Sequence, residues 1–143
     1  MPIEQPIEIW LIDDDDGHAL LVEESLRDAG LRNRFARARD GTEGWQWLKE
    51  AEAGQRRRPG LVLLDISMPG LDGFEVLQRI KSSSVLKDTP VIMLTSTDHP
   101  REIKRSYALG ANCYIIKPVD FERLHEKVRT LGFFLQIIEV AGQ

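Results

Sequence analysis

The chain has 143 residues, 42% hydrophobic and 29% charged, which suits one core and a single domain over 1–143. Its net charge of −4 gives no reason to expect nucleic acid as a partner, and no apolar run is long enough to cross a membrane. A lone cysteine, Cys113, excludes an internal disulfide framework, and the opening Met1-Pro2-Ile3-Glu4-Gln5-Pro6 lacks the regions of a signal peptide, so a cytoplasmic location is expected.

Residues 7–12 read as a first strand, apolar at nearly every position and closed by the acid run Asp13-Asp14-Asp15-Asp16. Residues 18–29 then carry Ala19, Val22, Leu26 and Ala29 at helical spacing, with Gly30 placed to end the helix. Asp15 and Asp16 read as first-turn acids favoured by the helix dipole, and His18 as a solvated helix-start residue. A weaker, partly charged strand over 33–38 (Phe35, Ala36, Ala38) has the character of a sheet edge. Asp40 is placed to cap a helix to about residue 53 that turns Trp47, Leu48 and Ala51 inward. Arg56-Arg57-Arg58 falls in the polar loop that follows and reads as solvated.

Leu61-Val62-Leu63-Leu64 is the most apolar stretch and stops on Asp65, ahead of the turn Ile66-Ser67-Met68-Pro69-Gly70-Leu71-Asp72-Gly73. Such a run predicts a strand buried on both faces, as in a parallel sheet. Asp72 can cap the next helix, with Gly73, Val76, Leu77 and Ile80 inward. Residues 91–95 form a fourth strand ending on Thr95. A helix over 99–109 has a weak apolar face (Ile103, Tyr107) and stops at Gly110. Residues 113–117 form a fifth strand ending on Lys117, with Cys113 expected to be buried; Asp120 caps a last helix. Five alternations of strand and helix with short connections predict a parallel sheet covered on both faces.

In such a sheet the strand ends share one edge, so Asp13, Asp14, Asp65, Thr95 and Lys117 converge. Three close carboxylates repel unless one is protonated or a cation sits among them, and an oxygen-only donor set favours Mg²⁺. A carboxylate can attack phosphorus to give an aspartyl-phosphate, and a metal, an ammonium and a hydroxyl are what the moving phosphoryl group needs.

With these residues in hand, the chain resembles the receiver domain of two-component response regulators over about 7–130. The resemblance rests on Asp13-Asp14, the Asp65-to-Gly73 motif, Thr95-Ser96 and Tyr114-Ile115-Ile116-Lys117-Pro118. It implies the flavodoxin-like (βα)5 fold, a doubly wound parallel sheet of strand order 2-1-3-4-5. It also implies that Asp65 accepts a phosphoryl group from a sensor histidine kinase. Asp13, Asp14, Asp65 and the backbone carbonyl of Ser67 then hold Mg²⁺, and Lys117 and Thr95 contact the phosphoryl oxygens. Tyr114 resembles the aromatic that swings inward as Thr95 moves. Lys117-Pro118 resembles the family's cis peptide, and Ser67 and Thr97 are the positions expected to tune dephosphorylation. No separate substrate is expected, so the chain is not read as an enzyme.

The last helix carries Phe121, Leu124, Val128, Leu131, Leu135 and Ile138 in one seam. Phe133, Phe134, Ile137 and Val140 add apolar residues off it, making an extended apolar C-terminal segment over about 131–143. Self-association as a homodimer through this helix and tail is expected. Residues 107–114 and Phe133-Phe134-Leu135 further resemble the stand-alone regulators partnered with phytochrome-type kinases, a group that dimerises through this side. The output is then expected to be a protein contact or phosphate relay. The rival readings are a haloacid-dehalogenase-like phosphatase with its nucleophile in the first-strand acid run, a flavin-binding module on the same fold, and a phosphorylation-independent interaction module.

Overall fold

The computed structural model describes residues 8–28, 33–68, 70–95 and 100–116. Five strands, β1 (Glu8–Ile12), β2 (Arg34–Ala38), β3 (Leu61–Asp65), β4 (Val91–Thr95) and β5 (Cys113–Ile116), form one sheet of order β2-β1-β3-β4-β5. Every pairing is parallel. Helices α1 (Asp16–Asp28), α2 (Gly41–Glu52), α3 (Gly73–Ser82) and α4 (Pro100–Ala108) fill the connections. This is the expected doubly wound order. The last helix, the apolar tail and the Lys117-Pro118 peptide lie outside the described residues.

Side chains alternate across a strand, and here both faces are apolar. Ile9, Leu11, Leu61, Leu63, Ile92 and Leu94 pack with Ala19, Val22 and Leu26 of α1. Trp10, Ile12, Val62, Leu64, Val91 and Met93 point the other way, onto the buried residues of α2 and α3. Among the described residues strand β2 pairs only with β1, and its Arg34 is exposed while Phe35, Ala36 and Arg37 are half-buried, as the partly charged sequence predicts for an edge.

Helix α2 is capped by Asp40, whose side chain accepts from Glu43 N–H at 2.8 Å. It meets β1 through Gly44, where a Cβ would lie 2.7 Å from Ile12 Cδ1. Leu48 and Ala51 are buried as expected, whereas Trp47 is half-buried, edge-on to Trp10 at 5.5 Å and covered by Arg56.

Three local expectations are corrected. Helix α1 begins at Asp16, two residues early, because Asp15 caps it: Asp15 Oδ1 accepts from His18 N–H at 3.0 Å. Helix α4 does not bury Tyr107, which is 49% exposed; the buried residue is Ser106, whose hydroxyl donates to Glu102 O at 2.9 Å. That internal bond satisfies the hydroxyl and lets it face the core. Cys113 is half-buried: it opens β5, which among the described residues pairs only with β4.

Candidate functional site

The carboxyl ends of β1 and β3 bring the acids together. Ile12 pairs with Leu64, so Asp13 and Asp65 follow at the same level of adjacent strands. Asp13 is fully buried and Asp65 is 3% exposed, whereas Asp14 is exposed. Carboxylate oxygens of all three lie within 4.8 Å of one another. Two buried like charges beside a third demand compensating positive charge. An all-oxygen set at the solvent-facing edge of a sheet suits a hard divalent cation, and these residues fit one.

The acid loop is held from several sides. Asp13 N–H donates to Ala38 O at 3.1 Å, and Arg37 Nε donates to Asp13 O at 3.0 Å. Arg37 also reaches Asp16 Oδ1 at 2.5 Å, and this guanidinium holds the Asp16 carboxyl below its ordinary range. Asp16 is thus an exposed ion-pair partner, and Asp15 is a helix cap.

His18 is not solvated. Its side chain is 10% exposed, and its Nδ1 lies 2.5 Å from Asp13 Oδ2. The sequence reads His18 as a solvated helix-start residue and gives Arg37 no role. His18 is separated from Asp13 by the cap of α1, and Arg37 reaches the acids only through the pairing of β1 with β2. The one signal was the position of both residues beside the acid-bearing elements.

The motif after Asp65 is a backbone device. Gly70 takes φ +79°, a conformation side chains disfavour, and Asp72 caps α3 by accepting from Glu75 N–H at 2.9 Å. Gly73 lets α3 touch the end of β3: a Cβ there would lie 2.3 Å from Asp65 O and 2.7 Å from Ile66 Cα. Ile66 N–H bonds Leu94 O at 2.9 Å, and Gly73 N–H bonds Ile66 O at 2.8 Å.

Ser67 is exposed, two residues beyond Asp65. A cleft of about 570 Å³ opens there, with Ile66, Ser67 and Met68 on one side and Glu102 and Arg105 of α4 on the other. Arg105 also stacks over Phe74 at 4.3 Å. Thr95 ends β4 one residue past Leu94, the register partner of Asp65. The Thr95 side chain, Ser96, Thr97, Lys117 and Pro118 lie outside the described residues. Tyr114 is half-buried on β5 and edge-on to Tyr107 at 5.8 Å. The Tyr107 hydroxyl is pushed above its ordinary pKa, chiefly by burial.

Residues 9–129 match the family described as the response regulator receiver domain. The probable methanogenesis regulatory protein FilR2 of Methanothrix harundinacea is 37% identical over 128 residues, covering 90% of this chain and 83% of FilR2. Response regulator Rcp1 of Synechocystis is 33% identical over 135 residues, 93% of this chain and 92% of Rcp1. The crystal structure of Mn²⁺-bound Rcp1 superposes with a TM-score of 0.78 at 32% identity, covering 96% of this chain and 100% of that one. The phosphorylated cyanobacterial phytochrome response regulator RcpA gives the same TM-score of 0.78, identity of 32% and coverage of 96% and 100%.

Proposed function

Because the chain belongs to the response regulator receiver family, we propose that it is a response regulator phosphorylated on Asp65 by a sensor histidine kinase. The observation that carries this reading is the acid cluster: Asp13, Asp14 and Asp65 converge within 4.8 Å, with the first and last buried. In the proposed reaction an Asp65 oxygen attacks the phosphorus of a phosphohistidine. The new P–O bond forms as the P–N bond breaks, and the histidine nitrogen leaves with the electron pair.

Asp13, Asp14, Asp65 and the Ser67 carbonyl would hold Mg²⁺. The ion supplies charge neutralisation for the phosphoryl oxygens. The chain's own residues do the rest. Buried Asp65 is held at the end of β3 by the Ile66–Leu94 bond and the Gly73 contact, which fix the backbone that carries its carboxylate. Lys117 and the Thr95 hydroxyl are proposed to contact the phosphoryl group. As Thr95 moves, half-buried Tyr114 turns from its contact with Tyr107 and remodels the α4–β5 side. The regulator turns over no separate substrate.

A phytochrome-type kinase is the proposed partner, supported by the likeness to RcpA, a phytochrome response regulator. Self-association through the last helix and tail is proposed from their apolar sequence. No helix among the described residues is long and apolar enough to cross a membrane.

Incubation with a small phosphoryl donor and Mg²⁺, read by intact mass, tests the reading. One phosphoryl group is expected on the wild-type chain, and none on Asp65→Asn or in excess chelator. Stoichiometric uptake by Asp65→Asn would refute it. Sedimentation velocity with and without beryllofluoride tests the homodimer, and a monomer in both states would refute that part.

A further inference from the structure

We infer that His18 is a positioning residue of the metal site: it fixes the carboxylate of Asp13 in the orientation that binds the divalent cation. The inference rests on the reading of Asp13, Asp14 and Asp65 as that site.

Asp13 has both carboxylate oxygens engaged from the start of α1. Oδ1 accepts from Asp15 N–H at 3.0 Å, and Oδ2 lies 2.5 Å from His18 Nδ1. The main-chain N–H and C=O of Asp13 are engaged too, by Ala38 O and Arg37 Nε. With one bond on each oxygen, the rotation of the carboxylate is restrained from two sides. The backbone bond to Oδ1 follows from the turn itself. The bond to Oδ2 depends on the identity of residue 18.

The imidazole is nearly enclosed and its one described ring bond is the one to Asp13. Its side chain is 10% exposed, and Nε2 is buried with no hydrogen-bond partner among the described residues. A proton on Nε2 would therefore be buried without an acceptor, whereas one on Nδ1 faces a carboxylate. A neutral ring accordingly carries its hydrogen on Nδ1 and donates to Asp13. This is the arrangement by which groups behind a metal ligand set its orientation, and their loss lowers metal affinity. His18 itself is outside the cluster of mutually close acids, so its role is exerted through Asp13.

Calorimetric titration of the unphosphorylated full chain with Mg²⁺ tests this in three variants. His18→Leu removes the donor. His18→Asn keeps an amide nitrogen where Nδ1 sits, and His18→Gln carries it one atom further out. We expect His18→Leu to weaken Mg²⁺ binding by about 10- to 100-fold. Asn should restore most of the loss and Gln little of it, with far-ultraviolet circular dichroism unchanged. Equal or tighter binding by His18→Leu, or equal weakening by all three, would overturn the inference. A wild-type chain that binds no Mg²⁺ would instead overturn the metal-site reading beneath it.

Discussion

Replacing Gly73 by Ala tests the contact that seats the acceptor strand against α3. The added Cβ would lie 2.3 Å from Asp65 O, 2.7 Å from Ile66 Cα and 3.0 Å from Asp65 C. All three are backbone atoms, so no side chain can rotate away, and either the first turn of α3 or the end of β3 must move. Overpacking of this kind costs about 1–3 kcal/mol, and a rigid backbone contact belongs at the upper end. Ala regains up to about 1 kcal/mol of helix propensity over Gly. A net loss of roughly 2 kcal/mol follows, which at a urea m-value of about 2 kcal/mol/M lowers the midpoint by about 1 M. Two controls separate packing from backbone effects. Gly54 has φ +76° with nothing within 4 Å, so Gly54→Ala carries only the left-handed penalty of about 1 kcal/mol. Gly17 would meet only Asp15 Oδ1 at 3.5 Å, so Gly17→Ala should be neutral or stabilising. Gly73→Ala should also weaken Mg²⁺ binding, since two of the three atoms it meets belong to the Asp65 backbone and the third to its neighbour Ile66, whereas Gly54→Ala should not. Wild-type stability in Gly73→Ala, with unchanged m-value, would refute the reasoning.

Asp40→Ala removes the cap bond to Glu43 N–H and should cost about 0.5–2 kcal/mol in urea unfolding, with the fold retained. Lys81 Nζ donates to Thr89 O at 2.7 Å and Lys87 O at 3.2 Å, and burial lowers its pKa from 10.5 despite the nearby Asp88 charge. Between that lowered value and 10.5 the unfolded chain holds more protons, so stability is gained as pH rises through the window and lost as it falls. Carbon-detected titration of the lysine side chain should place Lys81 below 10.5, and Lys81→Met should flatten the slope. The comparison belongs in a Tyr107→Phe background, because Tyr107, raised from 10.0, sheds stability as pH climbs through its folded value.

The strand ends were legible because parallel sheets announce themselves: Leu61-Val62-Leu63-Leu64 is apolar on both faces, and Asp65 breaks the run. The edge strand, the caps Asp40 and Asp72 and the convergence of Asp13, Asp14 and Asp65 follow from local pattern in a parallel sheet, whereas the strand order came from the family resemblance. What sequence reasoning missed depends on contacts across elements. His18 looked like a surface residue because hydropathy cannot register a bond to a buried acid one helical cap away. Arg37 sits on an edge strand where charge is ordinary, and only the β1–β2 register aims it at Asp13 and Asp16. Tyr107 looked inward by spacing, but the self-satisfied hydroxyl of Ser106 took the inner position instead.

The central claim is that Asp65, and no other acid at this edge, takes the phosphoryl group. Borohydride reduction of the phosphorylated chain converts an aspartyl-phosphate to homoserine, and tryptic mapping then separates the candidates. Asp65 falls in the peptide 58–79, whereas Asp13 and Asp14 fall in the peptide 1–27. Homoserine at position 65 is the predicted result. Homoserine in the acid run after β1 would contradict the account and revive a first-strand nucleophile.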